Sequence, residues 1–116
     1  MCYIQPTTKG HKMKLITKAI AKMLPKIGTT DGKHPSKVKV PLKLFNPTGA
    51  GTWYITEANL DTGEAFGYCM IHEGELGYVD LNELASFRGR MGLGIERDLH
   101  WDENTTLEDV IKAQCR

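Results

Sequence analysis

Alternating apolar and polar residues predict a strand in the first half of the chain. Residues 38–45, "VKVPLKLF", carry an apolar side chain at every second position, with lysines and a proline between them. Such alternation is typical of a strand with one buried face, so Val38, Val40, Leu42 and Leu44 should face the same side. Pro41 cannot donate to a ladder and lysines discourage pairing, which favours a position at a sheet edge or beside a bulge.

Three runs rich in β-branched and aromatic residues follow, at 52–60, 65–72 and 76–81, separated by short turns. Runs in series with short connections predict an antiparallel meander. A fifth strand is predicted at 95–101, with Ile95, Leu99 and Trp101 in the core.

Apolar residues recur at helical spacing in three short segments, about 17–24, 81–87 and 105–114. Thr17 is a plausible N-cap for the first segment. Capping boxes are predicted at Asp80 with Glu83 and at Thr105 with Glu108. The whole pattern predicts an α+β protein: a curved antiparallel sheet of about four to five strands with the short helices on one face.

The composition is that of a soluble globular protein, with 41% hydrophobic and 25% charged residues in a chain of 116. No apolar run approaches the ~20 residues of a membrane span, and the first residues lack a secretory signal. The three cysteines are far apart and form no CxxC pair. We therefore expect one domain in a reducing cytoplasm, without membrane contact.

Charge is distributed unevenly along the chain. Residues 1–45 hold ten lysines and one acidic residue, a net charge of +9, whereas residues 46–116 hold five basic and thirteen acidic residues, a net charge of −8. Either a basic patch binds an anionic partner or the halves pair with each other. The candidates for contact with nucleic acid are Lys14, Lys18, Lys22, Lys26, Lys39 and Lys43, and a solvated helix face is the alternative explanation for the first four.

The segment "GLGIERDLHWDE" places Glu96, Asp98, His100 and Asp102 at every second position. Residues i and i+2 of a strand lie ~6–7 Å apart, which is wide for ligands that share one metal ion. We therefore expect an exposed strand face and predict no metal and no cofactor. An enzyme site built from Glu57, Glu96, Asp98 and His100 is the minority hypothesis.

Arg97 falls on the apolar side of the same predicted strand, so it requires a carboxylate partner. Glu57 and Glu83 are the candidates, and either pair would be a structural clamp. Trp53 and Tyr54 should face opposite sides of their strand, with Glu57 on the side of Trp53. Whichever aromatic ring is exposed could anchor a protein partner or stack on a base.

The segment "RGRMGLG", residues 88–94, combines two arginines with three glycines. Phosphate-binding loops connect a strand to a helix, whereas here a helix precedes and a strand follows. We expect a mobile surface loop that contacts a partner through Arg88 and Arg90, with Asp98 and Asp102 as further partner-binding candidates.

Four pieces, "MKLITKAIAKMLP", "TWYITEAN", "ELGYVDLNELASFRG" and "GLGIERDLHW", occur in an order that resembles the family called domain of unknown function 2958. The resemblance covers roughly residues 13–110. It implies an accessory protein of plasmids, conjugative elements or phages in the cytoplasm of a bacterial host. Members of this family begin at "MKLIT", so residues 1–12 are expected to be a flexible extension and residues 13–116 a single domain.

Three functions follow from these observations. The first is a non-enzymatic protein that binds a host or element protein, with inhibition of a defence nuclease, as anti-CRISPR proteins do, as its concrete form. The second is nucleic-acid binding through the lysine-rich N-terminal third. The third is an enzyme with a carboxylate and histidine site. Monomer and dimer both remain open.

Overall fold

Five strands form one open antiparallel sheet in a computed structural model, which describes residues 16–71 and 73–114. The strands are β1 (Leu42–Phe45), β2 (Thr52–Asn59), β3 (Glu64–Met70), β4 (Gly74–Asp80) and β5 (Glu96–Arg97), in the order β4-β3-β2-β1-β5. The helices are α1 (Lys18–Met23), α2 (Leu81–Ser86) and α3 (Leu107–Gln114), with 3-10 turns at Pro35–Lys37 and Arg90–Gly92. The predicted α+β class is confirmed.

The meander β2-β3-β4 is the part of the sheet that the sequence predicted most closely. Each strand pairs with the next along nearly its whole length, and a bulge at Thr56 interrupts the register between Ile55 and Glu57. Gly67 lies in the middle of this meander because a Cβ there would overlap the carbonyl oxygen of Tyr54. Close approach of neighbouring backbones is one reason for glycine inside a strand.

Of the two positions expected for the lysine-bearing strand, the sheet edge is wrong and the position beside a bulge is confirmed, since Leu42 pairs with Ile55, next to the bulge at Thr56. β1 lies between β2 and β5, and Pro41 is buried just before its first residue, where no ladder hydrogen bond is required of it. The residues before Pro41 pair with the start of α3: the Val40 N–H donates to the Thr105 carbonyl at 2.8 Å, and the Leu107 N–H to the Val38 carbonyl at 2.7 Å.

The change of partner at Pro41 also changes the direction of the side chains. Leu42 and Leu44 join one hydrophobic cluster, with Trp53 and Ile55, whereas Val38 and Val40 join another. The expectation that all four apolar residues face one side is therefore wrong. Strand alternation holds only while the chain continues in one sheet.

The two clusters cover opposite faces of the sheet. Trp53 and Ile55 define the first face, where residues of α1 and α2 pack, and Tyr54 defines the second face, where α3 packs through Leu107 and Val110. The prediction that the short helices lie on one face therefore holds for α1 and α2 and is wrong for α3, which lies on the other face.

Side-chain caps define the beginnings of the helices. Thr17 Oγ1 accepts from the Ile20 N–H at 3.1 Å, and Asp80 accepts from the N–H groups of Asn82 and Glu83. Thr17 and Asp80 are therefore confirmed as the predicted N-cap residues, while the return bond of the capping box, from the Asp80 N–H to the Glu83 side chain, stays a prediction. The α3 cap lies one residue beyond the prediction: Thr106 Oγ1 accepts from the Asp109 N–H at 3.1 Å, and Asp109 accepts from the Thr106 N–H at 3.2 Å. The Thr105 carbonyl instead accepts the backbone hydrogen bond from the Val40 N–H.

Among the described residues, no helix combines the length and apolarity that crossing a membrane requires. The predicted extension at residues 1–12 and the candidate Lys14 lie outside the described residues.

Candidate protein-interaction surface

The alternating acidic row does not form, because β5 ends at Arg97. The chain turns at once: the Asp98 carboxylate accepts from the His100 N–H at 3.0 Å, and the Trp101 N–H donates to the Asp98 carbonyl at 3.3 Å. Asp102 in turn accepts from the Asn104 N–H at 2.9 Å. Leu99, expected in the core, has 73% of its surface exposed. The segment predicted as a strand face after Arg97 therefore forms two turns, at Asp98 and Asp102.

The minority enzyme residues are separated by the register of the sheet. Glu96 pairs with Phe45, which also faces Thr52 at the beginning of β2. Glu57 lies five residues after Thr52 on β2, beyond the other end of β1. In the part of the chain that the structure describes, no three His, Cys, Asp or Glu side chains are grouped so that they could hold a metal ion.

Lys43 and Asp98 form an ion pair of 3.4 Å against two aromatic rings. The Lys43 ammonium lies 5.3 Å from the centre of the Trp101 ring and 5.8 Å from that of Tyr54. The Trp101 Nε1–H donates to the buried Val40 carbonyl at 2.7 Å, which holds the indole in place. This cluster is a structural support on the second face, and it removes Lys43 and Asp98 from the set of free surface charges.

Glu57 is buried, and its partner is Thr30 rather than Arg97. The Thr30 hydroxyl and N–H donate to its carboxylate at 2.8 and 3.2 Å. The bulge at Thr56 pairs Glu57 with Phe66, on the face opposite Ala58 and Ala65, so its expected parity with Trp53 is wrong. Arg97 pairs with Leu44 on the first face, at the other end of β1, so the Arg97–Glu57 clamp is not formed.

Glu83, the other clamp candidate, is exposed on α2, and its N–H is one of the donors to Asp80. Arg97 instead lines an open groove of about 240 Å³ at the β5 edge, together with Asp98 and residues of α1. A clamp between Arg97 and Glu83 stays a prediction.

Trp53 and Tyr54 face opposite sides of β2, as expected, but only 8% and 7% of their surfaces are exposed. Both faces of the sheet are covered at this point. Neither ring is available to anchor a partner or to stack on a base.

The 87–94 loop presents apolar side chains to solvent. Met91 is 89% exposed and adopts a left-handed backbone conformation, with φ of 61°. Phe87 and Leu93 are exposed as well, and the loop is closed by a hydrogen bond of 2.7 Å from the Gly89 N–H to the Leu93 carbonyl. Sequence reasoning singled out this loop for its arginines but missed Met91, whose signal is an apolar residue directly before a glycine in a glycine-rich loop.

The two arginines of the loop differ in what the structure shows of them. Arg88 Nη1 donates to the carbonyls of Ala85 and Phe87, at 3.1 and 2.6 Å, and so completes the C-terminal end of α2. Cations near the last carbonyls of a helix are favourable. The Arg90 side chain lies outside the described parts of the structure. Arg88 therefore supports the loop, whatever else it contacts.

The remaining lysine candidates lie at the surface. Lys18, Lys22 and Lys26 are exposed on and just after α1, and Lys39 is exposed with its ammonium 3.4 Å from Asn104 Oδ1. Their solvated positions are compatible with either interpretation of the charge pattern. Cys69 is half-buried, and burial followed by the charge of Glu75 raises the pKa of its thiol, which disfavours the nucleophilic thiolate.

The fold and these surfaces define a small α+β protein with one open sheet and an exposed apolar loop, and its described residues include no side-chain group that could hold a metal ion. The profile of the family described as "Protein of unknown function (DUF2958)" matches residues 15–115, and the chain belongs to this family. No curated protein and no solved structure matches it.

Proposed function

We propose that this chain is a small accessory protein of a mobile genetic element that acts by binding another protein, and that a host defence nuclease is its target. The observation that carries protein binding is the 87–94 loop, with its exposed Met91 held at a positive φ. A non-glycine residue in that conformation is uncommon and costs free energy. Exposed apolar side chains on a closed loop are the kind of feature that partners recognise, and methionine and arginine are enriched at interfaces.

The charge distribution supports a basic target. Between Lys43 and Arg88 the chain has no lysine or arginine and seven acidic residues, of which only Glu57 is buried. A nuclease channel that binds DNA is positively charged, so these exposed acidic residues would complement it. The mobile-element origin is an expectation that comes from the family resemblance alone.

The test is a comparative capture experiment. The chain, its Met91→Asp variant and a Leu99→Asp control are immobilised and exposed to lysate of a bacterial host. Leu99 is a matched control because it is an exposed apolar residue outside the loop, separated from it by β5. We expect a specific protein to be retained by the wild type and by Leu99→Asp and lost with Met91→Asp.

The nuclease form of the proposal has its own readout. The captured protein should cleave DNA, and addition of the chain should reduce that cleavage, whereas Met91→Asp should not. Retention of the same proteins by all three forms, or of none by any, would contradict protein binding through this loop. A captured protein without nuclease activity would reject only the named target.

Nucleic-acid binding is the second candidate, favoured by the exposure of Lys18, Lys22, Lys26 and Lys39. It would rest on phosphate contacts alone, since Trp53 and Tyr54 are buried. Such binding weakens steeply as salt is raised. If neither single- nor double-stranded DNA or RNA shifts at low salt, this candidate is rejected.

A further inference from the structure

Among the described residues, no strand pairs with the outer edge of β4. β4 is the terminal strand of the sheet, and its register with β3 is continuous from Gly74 to Asp80, without a bulge. It contains neither proline nor lysine. Natural proteins block exposed edges with such devices because the unpaired backbone groups are a template for another strand.

The side chains of this edge are apolar on the second face of the sheet. Tyr78 is 65% exposed and Leu76 is exposed beside it, with Phe66 of β3 in edge-to-face contact with Tyr78, at 5.0 Å between ring centres. Tyr68 is the β3 partner of Leu76. The outer backbone edge of β4 and the exposed side chains of Leu76 and Tyr78 together form a surface on which a further strand can pair.

We propose that β4 pairs antiparallel with β4 of a second copy, about a two-fold axis through Gly77, to form a dimer with a continuous ten-stranded sheet. This axis is the one that pairs all seven residues of each strand. It places Leu76 against Tyr78 of the other copy on both sides of the axis, and Glu75 against Val79. With the axis at Tyr78, by contrast, Leu76 would face Asp80.

The acidic charge of the strand makes association in this register dependent on salt. With about 3.4 Å per residue, the two copies of Glu75 lie roughly 14 Å apart along the strands and the two copies of Asp80 roughly 20 Å, both beyond the Debye length of about 8 Å at physiological salt. Glu75 of one copy lies only one residue, about 3.4 Å along the strands, from Asp80 of the other, with the two side chains on opposite faces of the sheet. These two pairs repel, and because salt screens that repulsion we expect association to strengthen as salt is raised.

The same features disfavour other occupants and larger assemblies. The acids flanking the apolar row, and the absence of lysine and arginine between residues 43 and 88, disfavour nucleic acid. The opposite edge of the sheet, β5, has two residues, so a dimer leaves no second long edge for growth. Edge pairing buries less than the ~800 Å² per partner of a standard interface, which predicts a weak and reversible dimer. This inference is independent of the 87–94 loop.

The register is tested by disulfide cross-linking in a chain whose Cys2, Cys69 and Cys115 are replaced by serine. Facing residues of an antiparallel pair have Cα atoms about 4.5–5.5 Å apart, within the range of a disulfide. A Cβ at Gly77 meets no other atom within 4 Å. With oxidised glutathione as oxidant, we expect Gly77→Cys to form a covalent dimer and Glu75→Cys, the control, to remain monomeric.

Sedimentation equilibrium of the unmodified chain tests association itself. From micromolar to millimolar concentration, the wild type and a Leu99→Lys control should shift from monomer towards dimer, more strongly at high salt. Tyr78→Lys should remain monomeric. A wild type that is monomeric over the whole range, equal dimerisation of Tyr78→Lys, or equal cross-linking of Glu75→Cys and Gly77→Cys would each overturn the proposal.

Discussion

The Glu57 carboxylate accepts hydrogen bonds from both the hydroxyl and the N–H of Thr30, 27 residues earlier in the chain. The segment that carries Thr30 runs along the part of β2 that β1 is too short to cover, and the Ala58 N–H donates to the Pro25 carbonyl there at 3.0 Å. Buried carboxylates are costly unless they are hydrogen-bonded. Thr30 therefore both satisfies the acid and fixes the segment after α1 to the sheet.

Removal of the Thr30 hydroxyl should destabilise the fold. In Thr30→Val the shape is nearly kept, but Glu57 loses one of its two donors and remains buried. We expect the free energy of unfolding to fall by about 1–3 kcal/mol, the usual cost of an unsatisfied buried group. Urea denaturation measures it, and Thr29→Val, at an exposed position, is the control. Equal stability of the two variants would show that Glu57 does not depend on Thr30.

The start of α3 should contribute a pH-dependent stability. Hydrogen bonds from the Thr106 backbone and side chain lower the pKa of Asp109 below its ordinary value of 3.8. Because the folded pKa is depressed, this stabilisation is present above pH 3.8 and is lost as pH falls through the folded pKa. Asp109→Asn should remove that part of the acid sensitivity of unfolding.

Two neighbouring threonines distinguish the observed cap from the predicted one. Thr106→Ala should raise the pKa of Asp109, followed by NMR of its carboxyl carbon, and should destabilise the chain by about 1 kcal/mol, as loss of an N-cap does. Thr105→Ala should leave that pKa unchanged. The opposite result would restore the capping box that the sequence suggested at Thr105.

Lys43 and Asp98 should be energetically coupled. Their ion pair is partly shielded by the Trp101 and Tyr54 rings, so we expect a double-mutant cycle with Lys43→Met and Asp98→Asn to give roughly 0.5–1 kcal/mol. The helix pair Lys112–Glu108, with Lys112 far more exposed, is the control and should give less, about 0.3–0.5 kcal/mol. A coupling no larger than in that control would mean that the rings add nothing.

Local patterns in the sequence predicted the parts of the fold that depend on neighbours in the chain. The β2-β3-β4 meander and the caps at Thr17 and Asp80 belong to this class, because turn residues and side-chain periodicity act over a few positions. The loop containing Arg88 and Arg90 was also located correctly at the surface, although its most exposed residue, Met91, was missed.

The errors arose where contacts distant in sequence decide the structure. Alternation over residues 38–45 gave no sign that Val38 and Val40 pair with the start of α3. The bulge at Thr56 reversed the side of Glu57, and aspartate turns replaced the strand predicted after Arg97. A period of two shows that a strand is compatible with a segment, but not where that strand ends. The acidic and histidine residues between 96 and 102 therefore alternate regularly in sequence, but the strand that they suggested ends at Arg97.

Met91→Gly should stabilise the fold, because glycine adopts φ of 61° without the cost that a side chain imposes. That cost is roughly 1–2 kcal/mol, and the Met91 side chain, 89% exposed, contributes little packing to offset it. We expect the free energy of unfolding to rise by about 1 kcal/mol in urea denaturation. Leu99→Gly, at an exposed turn without a positive φ, should instead be neutral or destabilising. If Met91→Gly is more stable and yet fails in the capture experiment, methionine at this strained position is maintained for binding. If Met91→Gly is instead less stable than the wild type, the Met91 side chain stabilises the loop by packing within it.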